Sequence, residues 1–225
     1  MTTNSTDGRA AATRLQILRS AAQQFARRAY HDFGLDEILA QAELTEGAMY
    51  FHFRSKHAQA AALIERQASV GMASVRDLLS RGLSGLETLI DFSYLIAVQD
   101  IKMDGVRAAL NLLEAVGRSE ETQESRLAEW VRLVAVIVEQ AIAEGDVGPD
   151  GDPLDVARLT VSTYLVLRQT SNLDAPEQFL RELEKCWVLL LSGILKPDHS
   201  DYFRQFPGRR AALAIKSSAA DADTE

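Results

Sequence analysis

Apolar residues in this chain recur at three- and four-residue intervals, and no stretch sustains the two-residue alternation, bounded by turn residues, of a half-buried strand. The expected fold is therefore all-α. Leu15, Leu18, Ala22, Phe25 and Ala29 form the first stripe, with Thr13 placed to cap it. "AYHDFG" interrupts, and "LDEILAQAE" resumes the helical spacing through Leu35, Ile38, Leu39 and Ala42, with two acids in its first turn. Thr45 is suited to cap a third, short helix from Glu46, and Ser55 a long fourth one carrying Ala58, Ala61, Ala62, Ile64 and Ala68 to about Leu79. Beyond Gly82 and Gly85 the spacing predicts helices over about 85–102, 104–117, 123–145, 153–171 and 176–195, separated by "GRSEETQ", "EGDVGPDGDP" and "SNLDAP". After Lys196 and Pro197 the composition turns polar and small, so 198–225 reads as a poorly ordered tail.

With 225 residues, 47% of them hydrophobic, the chain has enough apolar side chains for a buried core. One cysteine, Cys186, excludes an intrachain disulfide and a multi-cysteine metal site, which makes a reducing cytoplasm the simplest compartment. No apolar run reaches the roughly 18 residues that cross a bilayer, and "MTTNSTDGRAAATR" lacks the pattern of a secretion signal, so no membrane partner is expected. The sequence holds no G-x-S-x-G, Walker loop, dinucleotide glycine pattern or H-E-x-x-H. Histidines 31, 52, 57 and 199 lack metal-ligand spacing, so catalysis, a metal and a cofactor are not expected. Net charge is −8, unevenly placed: residues 1–60 carry seven bases against six acids, and the remaining residues 17 against 26. A near-neutral head on an acidic body suits a DNA reader whose body phosphate repels, although so small an imbalance also arises by chance.

The stretch "LTEGAMYFHFRSK", residues 44–56, crowds aromatic and basic groups beside Gly47 and Ala48. Two short helices joined by a tight turn make a helix-turn-helix, whose second helix enters a DNA major groove. Small residues at its leading end would let the backbone approach the duplex, and Thr45 can both cap the helix and meet a phosphate. Tyr50, His52 and Lys56 are then placed as phosphate donors, while Met49, Phe51 and Phe53 divide between the core and the DNA face. Taken alone, "MYFHF" reads equally well as the core of a three-helix head. A helical adaptor that binds only protein is the competing class, and it would show no salt-dependent affinity for duplex DNA.

Residues 14–60 resemble the DNA-binding domain of the TetR family of bacterial repressors. The resemblance is carried by Arg14, Ile17-Leu18, Ala21-Ala22, Phe25, Tyr30, Ile38, Leu44-Thr45, Gly47-Ala48, Tyr50, His52-Phe53 and Ser55-Lys56. It implies an all-α homodimer: a three-helix head over residues 1–58, a ligand-binding and dimerisation body over 59–197, then the tail. The DNA-contacting residues it implies are Arg14, Thr45, Glu46, Gly47, Ala48, Tyr50, Phe51, His52 and Lys56. Two positions depart from the family pattern. Glu46 stands where a basic residue is common, and Gly34 where a Thr or Ser caps the second helix.

Within the family, "GAMYFHFRSKHAQAAALIERQ", "VRAALNL" and Trp130 in "LAEWVRL" resemble the receptors for γ-butyrolactone and butenolide autoregulators of actinomycetes. That resemblance implies a repressor of secondary metabolism, bound to pseudo-palindromic operator DNA and released by a small, hydrophobic, lactone-like effector. Its alternative is a pseudo-receptor, or another regulator of this type that senses an antibiotic or biosynthetic intermediate. The implied ligand residues are Gln67, Tyr94, Leu110, Trp130, Val134, Thr163, Tyr164, Leu165 and Arg168. Trp130, among Leu127, Val131, Val134 and Ile137, is a cavity wall on this reading and core packing otherwise. Gln67 is either a partner for a lactone carbonyl or an exposed polar residue. Leu165 replaces the family's threonine and removes its hydroxyl. Arg168 reads first as an exposed arginine at a dimer face, and otherwise as buried with an anionic or carbonyl partner. Helices over 153–171 and 176–195 offer seams, Ala157, Val161, Tyr164 and Leu183, Leu190, Ile194, for a four-helix interface. The fourth helix would couple effector to DNA, since it carries both Lys56 and Gln67, about 16 Å apart along its axis.

Overall fold

The computed structural model describes residues 3–116, 121–148, 151–196 and 200–219. Among them the fold is all-α, with no named strand: α1 (Thr3–Arg27), α2 (Leu35–Ala42), α3 (Glu46–His52), α4 (Lys56–Leu79), α5 (Gly85–Lys102), α6 (Asp104–Val116), α7 (Glu121–Glu144), α8 (Pro153–Thr170), α9 (Pro176–Ile194) and α10 (Ser200–Ala219). The expected boundaries of α5 to α9 lie within two residues of the observed ones, and turn chemistry explains the starts of α8 and α9. The Asp152 carboxylate accepts from Leu154 N at 2.7 Å, and Pro153 and Pro176 each open a helix, where a missing N–H costs nothing. Residues 117–120, part of the expected "GRSEETQ" break, lie outside the described residues. The first helix begins ten residues before Thr13, and Ala10, Ala11 and Ala12 favour helix in the turn just ahead of that residue.

The chain divides into two compact units, Met1–Met72 with Met103–Gln123, and Ala73–Lys102 with Glu124–Glu225. The break expected at residue 58 is therefore displaced. In the first unit, Ile17, Ala21 and Phe25 of α1 pack with Ile38, Met49 and Phe53, and the same core takes Ala60 and Leu63 of α4 and Ala108 and Leu112 of α6. Asn111 Nδ2 donates to Phe25 O at 2.9 Å and to Ala26 O at 3.4 Å, satisfying carbonyls that the end of α1 leaves without helical partners. Helix α6 belongs to the head for these reasons, although the 51 residues 53–103 separate it from α3.

In the second unit α5 is buried on most of its surface, through Leu86, Leu89, Ile90, Tyr94 and Ala97. Trp187 of α9, 1% exposed, donates its indole N–H to Ser93 Oγ at 2.7 Å. Helix α5 starts in direct backbone contact with α7: a side chain at Gly85 would stand 2.4 Å from Ala141 N, closer than atoms tolerate. Gly85 N also donates to Glu144 Oε2 at 2.6 Å.

The tail expectation is overturned over residues 200–219, which form α10. Phe203, Phe206, Ala211 and Ala214 are buried, a stripe sparse enough to be hidden by the polar residues between them. Polar ties add to it: Arg210 pairs with the buried Asp91, the Tyr202 hydroxyl donates to Glu87, and Lys102 Nζ donates to Ser217 O. Pro197 to His199 and residues 220–225 lie outside the described residues.

Candidate functional site

The turn between α2 and α3 is closed by backbone geometry. Glu43 takes the left-handed conformation, φ 53° and ψ 38°. Its amide then donates to Ala40 O and that of Leu44 to Leu39 O, each at 3.3 Å. This pairing ends a helix by giving its last carbonyls partners, and glycine usually supplies the left-handed residue. Thr45 Oγ1 accepts from Ala48 N at 3.3 Å, starting α3. The short helix then sorts its aromatic stretch by face. Met49 and Phe53 are buried at 0% and 3% exposure, whereas Tyr50 and Phe51 are exposed at 56% and 79%. Thr45, Glu46 and Gly47 share the exposed side, and a side chain at 47 would meet nothing within 4 Å, so this edge is open to an approaching surface. His52 is half-buried with its ring edge-on to Phe51, and Arg14 is exposed with its guanidinium 5.1 Å over the Phe53 ring.

Lys56, expected to meet phosphate, is engaged inside the head. Its ammonium donates to Tyr30 O and Phe33 O and sits 3.9 Å over the Phe33 ring and 4.7 Å over that of Tyr30. Partial burial lowers its pKa below the ordinary lysine value. The exposed base beside Phe51 is Arg54, which the sequence reading did not select. Helix α3 ends at His52, and the inward turn of Phe53 leaves position 54 outside. At Gly34, where no side chain caps α2, the backbone N–H donates instead to Glu37 Oε1 at 3.3 Å. The Arg28 guanidinium, bonded to Glu37, holds that carboxyl below its usual range.

In the second unit, α5, α7 and α8 enclose an apolar cavity of about 40 Å³, lined by Leu89, Phe92, Ser93, Ile96, Trp130, Leu133, Val134, Thr160, Val161 and Tyr164. On a scale where one water needs roughly 10–15 Å³, it holds a short alkyl segment as it stands. Of the expected ligand residues, Trp130, Val134 and Tyr164 are brought together here. Tyr94 lines a different groove of about 220 Å³, with Asp91 and Arg210. Gln67 packs against Gly105, and Leu110 is buried on α6, both in the first unit. Thr163 and Leu165 are half-buried on α8 but do not line the cavity; one helical turn places Thr160 and Val161 there instead. The cavity-lining residues of α5, Leu89, Phe92, Ser93 and Ile96, were missed because that helix is buried over most of its surface and its spacing shows no preferred face.

Arg168 is not at an exposed face. It is 5% exposed, its Nε donates to Asp100 Oδ2 at 2.9 Å and its second guanidinium nitrogen to Oδ1 at 3.3 Å, and the Tyr164 hydroxyl donates to the same carboxylate at 3.1 Å. The fork matches both oxygens, which is how an arginine survives burial. Among the described residues no three or more His, Cys, Asp or Glu side chains are grouped to hold a metal, and burial raises the Cys186 thiol away from reactivity. No described helix is long and apolar enough to cross a membrane.

The family model for bacterial regulatory proteins of the tetR family matches residues 17–63, which span α1 to the first half of α4. The whole fold agrees with it. A crystal structure of a gamma-butyrolactone receptor (ArpA-like protein) superposes with a TM-score of 0.76 at 28% identity, over 91% of this chain and 99% of that one. Residues 17–63 are a tetR-family DNA-binding domain, and the chain as a whole resembles regulators of that family. The chain is also similar to CprB of Streptomyces coelicolor, solved in complex with its biological operator sequence, with a TM-score of 0.78 and 29% identity over 90% of this chain and 98% of that one. The A-factor receptor protein of Streptomyces griseus is 27% identical over 194 residues, 84% of this chain but 66% of the receptor, just under two thirds of its length.

Proposed function

We propose that this regulator is a dimeric repressor that binds pseudo-palindromic operator DNA and leaves it when a small hydrophobic effector of the γ-butyrolactone type occupies the cavity. The observation that carries this is the joint presence of an exposed aromatic reading face, Tyr50 and Phe51, and a Trp130-walled cavity in a chain similar to γ-butyrolactone receptors. Exposed apolar side chains of this size mark a contact surface. Glu46, Gly47 and Tyr50 face bases and phosphates, Arg54 and Arg14 supply positive charge, and Lys56 braces the head. Leu159 and Val166 on α8 and Val188 and Leu189 on α9 are exposed by 45% or more and form the seam for the second copy. The two heads then meet half-sites roughly 34–36 Å, or a multiple, apart.

A cavity of about 40 Å³ is smaller than a lactone with an alkyl tail. The effector must therefore part α5, α7 and α8, and by linkage it binds the parted, DNA-incompetent state more tightly. The test is fluorescence anisotropy on a duplex from the gene's own upstream region, at two salt concentrations, with and without a synthetic alkyl γ-lactone. Salt-sensitive binding released by the lactone, with release abolished in Trp130→Ala, is expected. Binding that no lactone releases would refute the effector, and affinity indifferent to salt would refute the DNA reading.

A further inference from the structure

The cavity wall includes three hydroxyl-bearing residues, and each gives its proton to the protein. Ser93 Oγ donates to Ile90 O and accepts from Trp187 Nε1, both at 2.7 Å. Thr160 Oγ1 donates to Val156 O at 2.8 Å. Tyr164, the largest of the three, donates to Asp100 Oδ2 at 3.1 Å. Asp100 and Arg168 have side chains 0% and 2% exposed, and the two-point guanidinium contact keeps the carboxylate an acceptor directed at the phenol. A tyrosine on a cavity wall would ordinarily offer a donor to a ligand carbonyl. This one is turned to an internal charge.

A buried ion pair contributes little net stability compared with apolar residues of the same size. Its effect on the neighbouring tyrosine is therefore the property that distinguishes it. We propose that the Asp100–Arg168 pair is a specificity device: by holding the Tyr164 hydroxyl it makes the cavity a hydrocarbon subsite. The part of the effector that enters is an unfunctionalised alkyl chain or aromatic ring, and an effector with a carbonyl on that part is discriminated against. The proposal rests on the effector reading above and deepens it. A carbonyl that leaves water for this wall loses its hydrogen bonds without replacement, which lowers affinity about tenfold to a hundredfold.

The test is isothermal titration of the full-length protein with three probes: a γ-lactone bearing a straight alkyl chain, the same lactone with a ketone on the first side-chain carbon, and n-butylbenzene. Wild type, Tyr164→Phe, Trp130→Ala and the double variant Asp100→Leu/Arg168→Met are compared. The alkyl lactone and butylbenzene are expected to bind wild type and to be lost in Trp130→Ala. The ketone should bind at least about tenfold more weakly than the alkyl lactone, and Tyr164→Phe should leave that ratio within about twofold of its wild-type value. The double variant, which frees the phenol, should gain about tenfold for the ketone alone; if it fails to fold, the Tyr164→Phe comparison decides. A ketone that binds wild type as tightly as the alkyl lactone, and is weakened tenfold by Tyr164→Phe, overturns the proposal. Butylbenzene bound without either lactone keeps the hydrocarbon subsite and rejects the lactone effector, whereas no binding by any probe rejects both.

Discussion

Lys56→Gln separates two roles that the position could serve. The ammonium makes two hydrogen bonds to carbonyls, of Tyr30 and Phe33, and lies 3.9 Å over the Phe33 ring. A hydrogen bond from a charged donor contributes about 1.5–3 kcal/mol when buried, and a cation over an aromatic face about 0.5–1 kcal/mol at an exposed site. Lys56 is only half-buried, so about 1 kcal/mol for each bond is the appropriate scale, and the total is about 2–3 kcal/mol. For a chain of this size that corresponds to a fall in Tm of about 5–10 °C. A phosphate contact predicts the opposite pattern: an unchanged Tm, and a slope of log Kobs against log salt shallower by about 0.9 per head, hence about 1.8 for a dimer. Calorimetric melting together with operator titrations at several salt concentrations, well below the melt, tells them apart. The expected result is the lower Tm with an unaltered slope, while Arg54→Gln should reduce the slope and leave Tm alone. A Lys56→Gln protein that melts like wild type and loses salt dependence would refute the bracing role.

Arg168→Ala leaves the Asp100 carboxylate buried without its arginine and should cost about 3–5 kcal/mol by denaturant unfolding, while Asp100→Leu/Arg168→Met should cost far less. Phe206→Ala should destabilise by about 3–4 kcal/mol if α10 is part of the core, and a melt within 1 °C of wild type would return that segment to the status of a tail. Glu43→Gly removes a side chain from a left-handed position and should be neutral to about 1 kcal/mol stabilising, a sign that guanidinium unfolding reads directly.

What could be read from the sequence was what neighbours along the chain decide. Asp152-Pro153, Pro176, Thr45 and Ser55 act within a turn of themselves, so helix starts were legible. The Thr45 hydroxyl to Ala48 N and the Ser55 hydroxyl to Ala58 N are such bonds. What stayed hidden depends on partners far off in sequence. Arg168 finds Asp100 across 68 residues, and Lys56 finds Tyr30 across 26. Nothing local to either residue signals the pairing. In α10 the alternation of Phe203 and Phe206 with arginines lowers the average hydropathy of a segment whose buried face is nonetheless aromatic. At the cavity, Trp130 and Val134 stood out on an amphipathic helix, but α5 offers no polar face against which to choose Leu89 and Ile96.

The contact of Gly85 with the Ala141 backbone makes α5 and α7 a pair of tongs. From this pivot both helices run toward the cavity. Ile96 and Trp130 each lie eleven residues along their arm, about 16 Å, whereas Leu89 lies only about 6 Å out. A splay of about 10° therefore parts the walls by about 3 Å at Trp130 and Ile96 and by about 1 Å at Leu89. The jaws widen from the tip, and the bulk of whatever they hold is converted into an angle. A side chain added at position 85 would act as a wedge in the hinge, holding the tongs ajar with nothing between them.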